Sequence, residues 1–148
     1  MDDKIRVLIA DDLESERMLL KIAFRQAPAF EIIGEVEDGL ELIRYLSGEA
    51  KYADRKKYPW PDLVFLDLKM PKRSGFEVLD WLRRNPLKDA PKILVFTASD
   101  EPSDRVKALG LGAHGFQVKP LGPKDYVTML KKLEARYWKG SLRDEPDK

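Results

Sequence analysis

Five short apolar runs alternate with five longer stretches of helical period, and this alternation most constrains the fold of the chain. Strands that alternate with helices in this way predict a parallel sheet covered by helices. The first, third and fourth runs are the most apolar and are predicted to be central strands, because a strand buried on both faces has no polar alternation. The predicted strands are 5–10, 31–36, 63–67, 92–97 and 114–118, and the predicted helices are 14–27, 38–48, 75–85, 103–110 and 123–137.

Glycines and prolines punctuate the predicted helices. Gly48 and Gly110 lie where a helix ends on a residue in the left-handed conformation, and Pro28 and Pro86 mark helix stops. The connection 49–61, "EAKYADRKKYPWP", is a long polar and aromatic segment between the second helix and the third strand.

Length and charge limit the classes of function. The chain has 148 residues, which fits one domain with a sizeable core. Its 27 basic and 26 acidic residues nearly cancel, so it lacks the positive field on which nonspecific nucleic-acid binding relies. There is no cysteine, no signal-peptide pattern and no apolar run long enough to cross a membrane. We therefore expect a soluble, cytoplasmic protein that binds neither nucleic acid nor membrane.

One carboxylate stands at the end of the predicted third strand. In "VFLDLKMP", Asp67 follows an apolar run that is expected to be buried on both faces, so its carboxylate is expected to be partly out of water. Removing a carboxylate from solvent costs several kcal/mol unless cations or hydrogen-bond donors compensate it. The sequence therefore predicts partners for Asp67.

The ends of the other strands supply those partners. In an open parallel sheet, ligands bind beyond the carboxyl ends of the strands, where the strand order reverses. The first strand ends at Asp11 and Asp12, the fourth at Thr97 and the fifth at Lys119. Three carboxylates, a hydroxyl and an ammonium are thus predicted to meet at one edge of the sheet.

Each of these residues also has an ordinary structural interpretation. Asp11 and Asp12 could cap the first helix, because "DDLE" resembles a capping box. The Thr97 hydroxyl could bond the backbone, Lys119 could be a solvated surface charge, and Asp67 could open the following turn. The combination favours a functional site, because four independent coincidences at four strand ends are less probable than one site.

The combination predicts a phosphoryl-transfer site. Carboxylates crowded at one edge repel each other unless one is protonated or a hard cation lies among them, and Mg²⁺ suits carboxylates, carbonyls and phosphoryl oxygens. A lysine and a hydroxyl opposite the cation would hold the other phosphoryl oxygens. Asp67 is then the nucleophile that becomes an aspartyl phosphate.

These residues resemble the receiver domain of two-component response regulators, over residues 5 to 137. The similar motifs are "VLIADD", "EIIGEVEDGLELIRYL", "PDLVFLDLKMPKRSGFEVL", "ILVFTAS" and "GAHGFQVKP". The resemblance implies a flavodoxin-like (βα)5 fold, a five-stranded parallel sheet in the order 2-1-3-4-5 with helices on both faces. It also implies a receiver domain over 1–140, a polar tail over 141–148 and no output domain, as in stand-alone receivers of the chemotaxis or phytochrome-associated type.

The resemblance implies a role for each metal-site residue. Asp67 accepts the phosphoryl group and, with Asp12, binds Mg²⁺ directly. Asp11 assists indirectly, through water or orientation. The backbone carbonyl of Lys69 completes the coordination by the protein.

Further roles concern the phosphoryl group and the switch. Lys119 pairs with the acceptor and then with the phosphate, Thr97 hydrogen-bonds a phosphoryl oxygen, and Ala98 leaves room for it. Phe116 matches the aromatic switch that turns inward when the threonine moves, although its position is equally typical of core packing. Ser99, like Lys69, stands at a position that varies in the family and flanks the path of a hydrolytic water.

Three hypotheses of function follow. In the first, a sensor histidine kinase phosphorylates the chain, and the face around the fourth helix, fifth strand and fifth helix then binds a target or a second copy. In the alternative, the chain is a phosphorelay intermediate that passes its phosphate to a histidine phosphotransfer protein. The third, a hydrolase of the haloacid dehalogenase type, would need an acid where Lys69 stands. In the first two the chain assists its own phosphorylation and dephosphorylation but turns over no external substrate.

Two structural expectations remain. The resemblance implies a cis peptide bond between Lys119 and Pro120. On the fifth helix, a stripe at steps of four and three packs on the sheet, formed by Tyr126, Leu130, Leu133 and Tyr137. Trp138 lies off this stripe and is either a contact residue of the signalling face or a cover for the core.

Overall fold

A computed structural model describes residues 4–138 and 141–142, and the side chains of residues 4–136. Its helices and strands alternate as predicted, and every boundary of the ten predicted elements lies within three residues of the expected one. The elements are β1 Ile5–Ala10, α1 Glu14–Phe24, β2 Phe30–Val36, α2 Gly39–Ser47, a 3-10 helix Ala50–Ala53, β3 Leu63–Leu66, α3 Gly75–Arg84, β4 Lys92–Thr97, α4 Pro102–Gly110, β5 Gly115–Val118, α5 Pro123–Arg136, β6 Tyr137–Trp138 and β7 Ser141–Leu142.

The first five strands form a parallel sheet in the order β2-β1-β3-β4-β5, which confirms the predicted flavodoxin-like fold. Strand β3 is buried at every position, as its unbroken apolar run requires, and β1 and β4 are buried over most of their length. Strand β2, at the edge, mixes buried and exposed positions. The sheet reverses its order between β1 and β3, so the carboxyl ends of these strands open onto a crevice.

Helices cover both faces of the sheet and enclose two apolar clusters. One cluster lies between the sheet and helices α1 and α5, and the other lies between the sheet and helices α2, α3 and α4. The predicted stripe of α5 is confirmed for Tyr126, Leu130 and Leu133, all of which are buried. The side chains of Tyr137 and Trp138 lie outside the described residues, and α5 ends at Arg136. The proposed role of Trp138 therefore stays a prediction.

The glycine in the left-handed conformation after α4 is Gly112 and not the predicted Gly110. Gly48 ends α2 in the left-handed conformation, with a φ of 72°, as predicted. Gly110 is instead the last residue of α4, and Gly112 carries the positive φ, at 106°. The N–H of Ala113 donates to the carbonyl of Ala108, so the helix closes around Gly112.

The prediction of a cis bond before Pro120 was wrong, because the described part of the chain contains only trans peptide bonds. With a trans bond, the backbone N–H of Lys119 donates to the carbonyl of Thr97 at 2.7 Å. The Lys119 ammonium still reaches two carboxylates of the sheet edge. The turn therefore points the lysine into the site without the cis geometry.

The long connection before β3 is ordered by aromatic packing. The rings of Tyr45, Tyr52 and Tyr58 lie with centroids 4.9 to 6.1 Å apart. The Tyr45 hydroxyl donates to the carbonyl of Pro59 at 2.6 Å, and the Tyr52 hydroxyl donates to Glu41 Oε2 at 2.7 Å. The connection thereby extends the apolar cluster beneath α2.

Among the described residues, each helix is too short or too polar to cross a bilayer.

Candidate functional site

The strand ladders place the predicted site residues. The backbone N–H of Asp11 donates to the carbonyl of Val36, and that of Asp67 donates to the carbonyl of Ala10 at 3.0 Å. Each residue is thus hydrogen-bonded to the neighbouring strand one position beyond the end of its own strand. This continuation fixes the backbone from which each side chain enters the crevice.

Asp11, Asp12 and Asp67 form a compact acidic cluster. One carboxylate oxygen from each lies within 4.8 Å of the other two. Asp11 and Asp67 are buried, whereas Asp12 is partly exposed to solvent. The structure thus brings together the three carboxylates that the sequence placed on two different strands.

Lys119 lies against this cluster, and its side chain is only 9% exposed. Its ammonium donates to Asp11 Oδ2 at 2.8 Å and to Asp67 Oδ2 at 3.2 Å. Burial disfavours the ammonium form, but the hydrogen bond to Asp11 and the charges of Asp67, Asp11 and Glu16 outweigh burial and raise the pKa of Lys119. The interpretation of Lys119 as a solvated surface charge is therefore wrong.

The environment of Asp67 opposes its ionisation. Burial is the largest cause and raises the pKa of Asp67, and the negative charge of Asp11 acts in the same direction. Lys119 and the Thr97 hydroxyl favour the charged form but do not fully compensate. The carboxylate that the sequence identified as the acceptor is therefore short of positive charge.

The donor set of the cluster fits a hard divalent cation. All its ligand atoms are carboxylate oxygens, and one lysine cannot balance the charge of three ionised carboxylates. Both oxygens of Asp11 already accept hydrogen bonds, Oδ1 from the N–H of Leu13 at 3.0 Å and Oδ2 from Lys119. These bonds suit the indirect role predicted for Asp11. Because α1 has Leu13 as its N-cap and no side-chain cap, Asp11 and Asp12 form no capping box.

The conformation of the loop after Asp67 depends on Gly75, for which the sequence alone predicted no role. The N–H of Gly75 donates to the carbonyl of Leu68 at 2.8 Å, and a Cβ at Gly75 would overlap the carbonyl of Asp67. The first turn of α3 therefore packs directly on the acceptor residue. Lys69 is exposed in this loop, and coordination by its carbonyl stays a prediction.

Thr97 lies beside the cluster, whereas Phe116 lies on β5 against α4. Thr97 is 2% exposed, and its hydroxyl accepts from the N–H of Ser99 at 3.4 Å and also favours the ionised form of Asp67. Ala98 is exposed and adds no bulk beyond a methyl group. Phe116 is partly buried, and the guanidinium of Arg105 on α4 lies 5.8 Å from the centre of its ring. A rotation of Phe116 would thus alter the surface between α4 and β5.

Three residues that sequence reasoning missed complete the surroundings of the site. Arg17 is buried on α1, where it donates to the backbone carbonyl of Asp11 at 2.7 Å and to Glu35 on β2 at 2.8 Å. Glu16 lies 3.6 Å from the Lys119 ammonium, and the Tyr126 hydroxyl donates to Glu16 at 3.2 Å. The sequence indicated only that Glu16 and Arg17 follow the acidic pair by about one turn and that Tyr126 belongs to the apolar stripe of α5.

The hydroxyl of Tyr126 stays protonated over the physiological range. Burial, followed by the nearby charge of Glu16, raises the pKa of Tyr126 to about 12. The ring packs edge-on against Phe96, with centroids 5.7 Å apart. Tyr126 is therefore a fixed hydrogen-bond donor on α5 that faces the first turn of α1.

Comparison with known proteins assigns the class. The receiver domain of response regulators matches residues 7–131, and the chain belongs to this family, which acts in two-component signalling. The nitrate/nitrite response regulator NarL of Escherichia coli K12 is 34% identical over 132 residues, which are 87% of this chain and 54% of NarL. The chain thus spans about half the length of that relative.

Two further similarities cover nearly the whole of the matched protein. The chemotaxis protein CheY of Thermotoga maritima is 32% identical over 128 residues, which are 86% of this chain and 96% of CheY. The crystal structure of response regulator RPA3017, from red light signalling of R. palustris, has a TM-score of 0.81 and 27% identity. That match covers 97% of this chain and 99% of the other.

Proposed function

We propose that this chain is a phosphorylation-driven switch whose Asp67 receives a phosphoryl group from a sensor histidine kinase, with Mg²⁺ bound at the acidic cluster. The observation that carries the proposal is the convergence of Asp11, Asp12 and Asp67 within 4.8 Å, beside a lysine that bridges two of them. Structural ion pairs are normally balanced, whereas this cluster has an excess of negative charge. Such an excess suits a site that takes up a cation and then a phosphoryl group.

In the proposed reaction, an oxygen of the Asp67 carboxylate attacks the phosphorus of a phosphohistidine. The new O–P bond forms as the N–P bond breaks, and the histidine nitrogen keeps the electron pair and takes a proton from solvent. The bound Mg²⁺ would supply positive charge to the phosphoryl oxygens. The cation would be held by Asp12, Asp67 and the carbonyl of Lys69. Asp11 would assist indirectly by orienting these ligands.

Two side chains would hold the transferred group. Lys119 already contacts Asp67 Oδ2 and can follow the added negative charge by a small movement. The buried hydroxyl of Thr97 lies near the same carboxylate and can donate to a phosphoryl oxygen. These groups assist phosphorylation and dephosphorylation of the chain itself, so we propose no turnover of an external substrate.

The output would leave the molecule beside Phe116. Movement of Thr97 toward the phosphoryl group would free the space into which the partly buried Phe116 can turn. That rotation would break its contact with Arg105 and reshape the face formed by α4, β5 and α5. The partner of this face would be a target protein or a second copy. Phosphoryl transfer and partner binding would both take place in the cytoplasm.

The experiment uses phosphoramidate as a small donor, because its P–N bond has the chemistry of phosphohistidine. With Mg²⁺ we expect the intact mass to rise by one phosphoryl group, and we expect no rise with a chelator or in Asp67→Asn. A rise that persists in Asp67→Asn would exclude the acceptor role. Transfer of the group onward to a histidine phosphotransfer domain, without capture of any target by the beryllofluoride form, would instead support the relay function.

A further inference from the structure

Lys119 has a third carboxylate partner that lies outside the acidic cluster. Its ammonium is 2.8 Å from Asp11, 3.2 Å from Asp67 and 3.6 Å from Glu16. An ammonium has three N–H donors, so all three carboxylates can share it. Within the described residues, the group that could hold a metal comprises Asp11, Asp12 and Asp67, without Glu16. Glu16 therefore acts on the lysine and not on the cation site.

A buried tyrosine fixes Glu16 in this position. Tyr126 is 2% exposed, and its hydroxyl donates to Glu16 Oε1, the same oxygen that faces Lys119. The Glu16 side chain is 27% exposed, so without this anchor it could turn toward water. The hydrogen bond joins the first turn of α1 to α5 and keeps a negative charge beside the active-site lysine.

We propose that Glu16, anchored by Tyr126, is a positioning residue that holds Lys119 back from the phosphoryl group and so sets how tightly Asp67 retains it. This inference rests on the proposed role of Asp67 as phosphoryl acceptor. When Asp67 gains a phosphoryl group its negative charge increases, and Lys119 must give up part of its contact with Glu16 to neutralise that charge. The charge of Glu16 also repels the incoming anion.

The inference predicts opposite effects on two ligands when the charge of Glu16 is removed. Glu16→Gln keeps the shape of the side chain and an oxygen that can accept from Tyr126. With Mg²⁺ saturating, we expect beryllofluoride to bind about fivefold more tightly, because Lys119 is released toward the anion. In the absence of beryllofluoride, Mg²⁺ should bind about twofold more weakly, because Lys119 then competes more strongly for Asp67.

The matched control is Glu14→Gln, which removes the same charge from an exposed position on the same helical turn. Both affinities are measured by amide chemical-shift titration, with ¹⁹F spectra for bound beryllofluoride. The control should change each by less than about 1.5-fold, since exposed charges are screened. In the metal-free protein, the ¹⁵N shift of the Lys119 ammonium should move in Glu16→Gln and stay constant in Glu14→Gln.

Tyr126→Phe tests the anchor separately, because it removes the hydroxyl and keeps the buried ring. It should raise the affinity for beryllofluoride by less than Glu16→Gln does. The double variant should bind no more tightly than Glu16→Gln alone, since without the charge the anchor has nothing to hold.

The outcomes separate the two proposals. If the wild-type protein with Mg²⁺ binds no beryllofluoride, or Asp67→Asn binds it equally well, the proposed function and this inference both fail. If the wild-type protein binds at Asp67 but Glu16→Gln binds beryllofluoride equally or more weakly, the inference alone is overturned. A purely structural role for Glu16 would give that second result together with a lower melting temperature.

Discussion

The acidic site and the tyrosine cluster before β3 both bring polar side chains together, but they differ in charge balance. At the site, three carboxylates lie together and one buried ammonium contacts two of them, and burial raises the pKa of Asp67. In the tyrosine cluster, the hydroxyls of Tyr45 and Tyr52 each donate a short hydrogen bond, and the rings pack on each other. A cluster whose polar groups are satisfied stabilises the fold, whereas a cluster with unbalanced charge costs stability and indicates a ligand.

The largest expected effect is on stability, in the tyrosine cluster. Tyr45 is 2% exposed and packs beneath the connection 49–61. Tyr45→Ala should lower the free energy of unfolding by about 3 to 5 kcal/mol, because it removes a buried ring and leaves a cavity. Urea unfolding measures this loss, and Tyr45→Phe should cost only about 1 kcal/mol for the lost hydrogen bond.

The same variant should leave the site intact. Beryllofluoride affinity of Tyr45→Ala, measured well below its unfolding midpoint, should equal that of the wild-type protein. A large loss of affinity would mean that the two clusters are coupled and that the tyrosine cluster does more than stabilise the fold.

The next effect is on cation binding. Asp12 is the most exposed carboxylate of the acidic cluster and is the predicted direct ligand. Asp12→Ala should weaken Mg²⁺ binding by more than about tenfold, because even outer-shell partners of a metal contribute that much. The free energy of unfolding without metal should stay within about 0.5 kcal/mol of wild type. Asp100→Ala removes an exposed carboxylate as the control and should leave Mg²⁺ affinity unchanged.

The smallest expected effect is a gain in stability. The raised pKa of Asp67 means that the folded state binds more protons than the unfolded state between the ordinary pKa and the raised one. This contribution to stability is complete below the ordinary pKa and is lost as the pH rises through the raised pKa. At pH 7 in metal-free buffer, the free energy of unfolding of Asp67→Asn should therefore be about 1 kcal/mol higher than that of the wild-type protein.

The pH dependence gives this prediction its control. The advantage of Asp67→Asn should shrink as the pH falls through the raised pKa, and it should be gone below the ordinary pKa of aspartate, where the wild-type carboxyl is neutral in the folded and the unfolded state. Urea unfolding at pH 3 and pH 7 measures the difference. Equal advantages at both pH values would show that burial of charge at Asp67 is not the cause.

The main site residues could be predicted because each follows directly on an apolar run. Asp67 and Lys119 come immediately after β3 and β5, and Thr97 is the last residue of β4. The carboxyl ends of parallel strands meet at one edge of the sheet. Their meeting therefore depends only on the fold class. The order of the strands and the two-sided cover of helices followed from the resemblance of the motifs and are confirmed.

Glu16, Tyr126 and Gly112 could not be predicted in the same way. The Tyr126 ring belongs to the apolar stripe of α5, and only the packing of α5 against α1 shows that its hydroxyl meets Glu16. Gly110 and Gly112 are equally suited to end a helix. Which glycine adopts the positive φ depends on which N–H groups beyond Gly110 hydrogen-bond to the carbonyls of the last turn of α4.

We propose that the excess of negative charge at the acidic cluster serves the phosphorylation of one carboxylate, Asp67. Peptide mapping after reductive trapping of the acyl phosphate tests it most directly, with phosphoramidate and Mg²⁺ as reagents. We predict that Asp67 is the modified residue, that modification requires Mg²⁺, and that neither Asp11 nor Asp12 is modified. Modification of another carboxylate in the wild-type protein, or of Asp67 at an equal rate with a chelator present, would contradict the account.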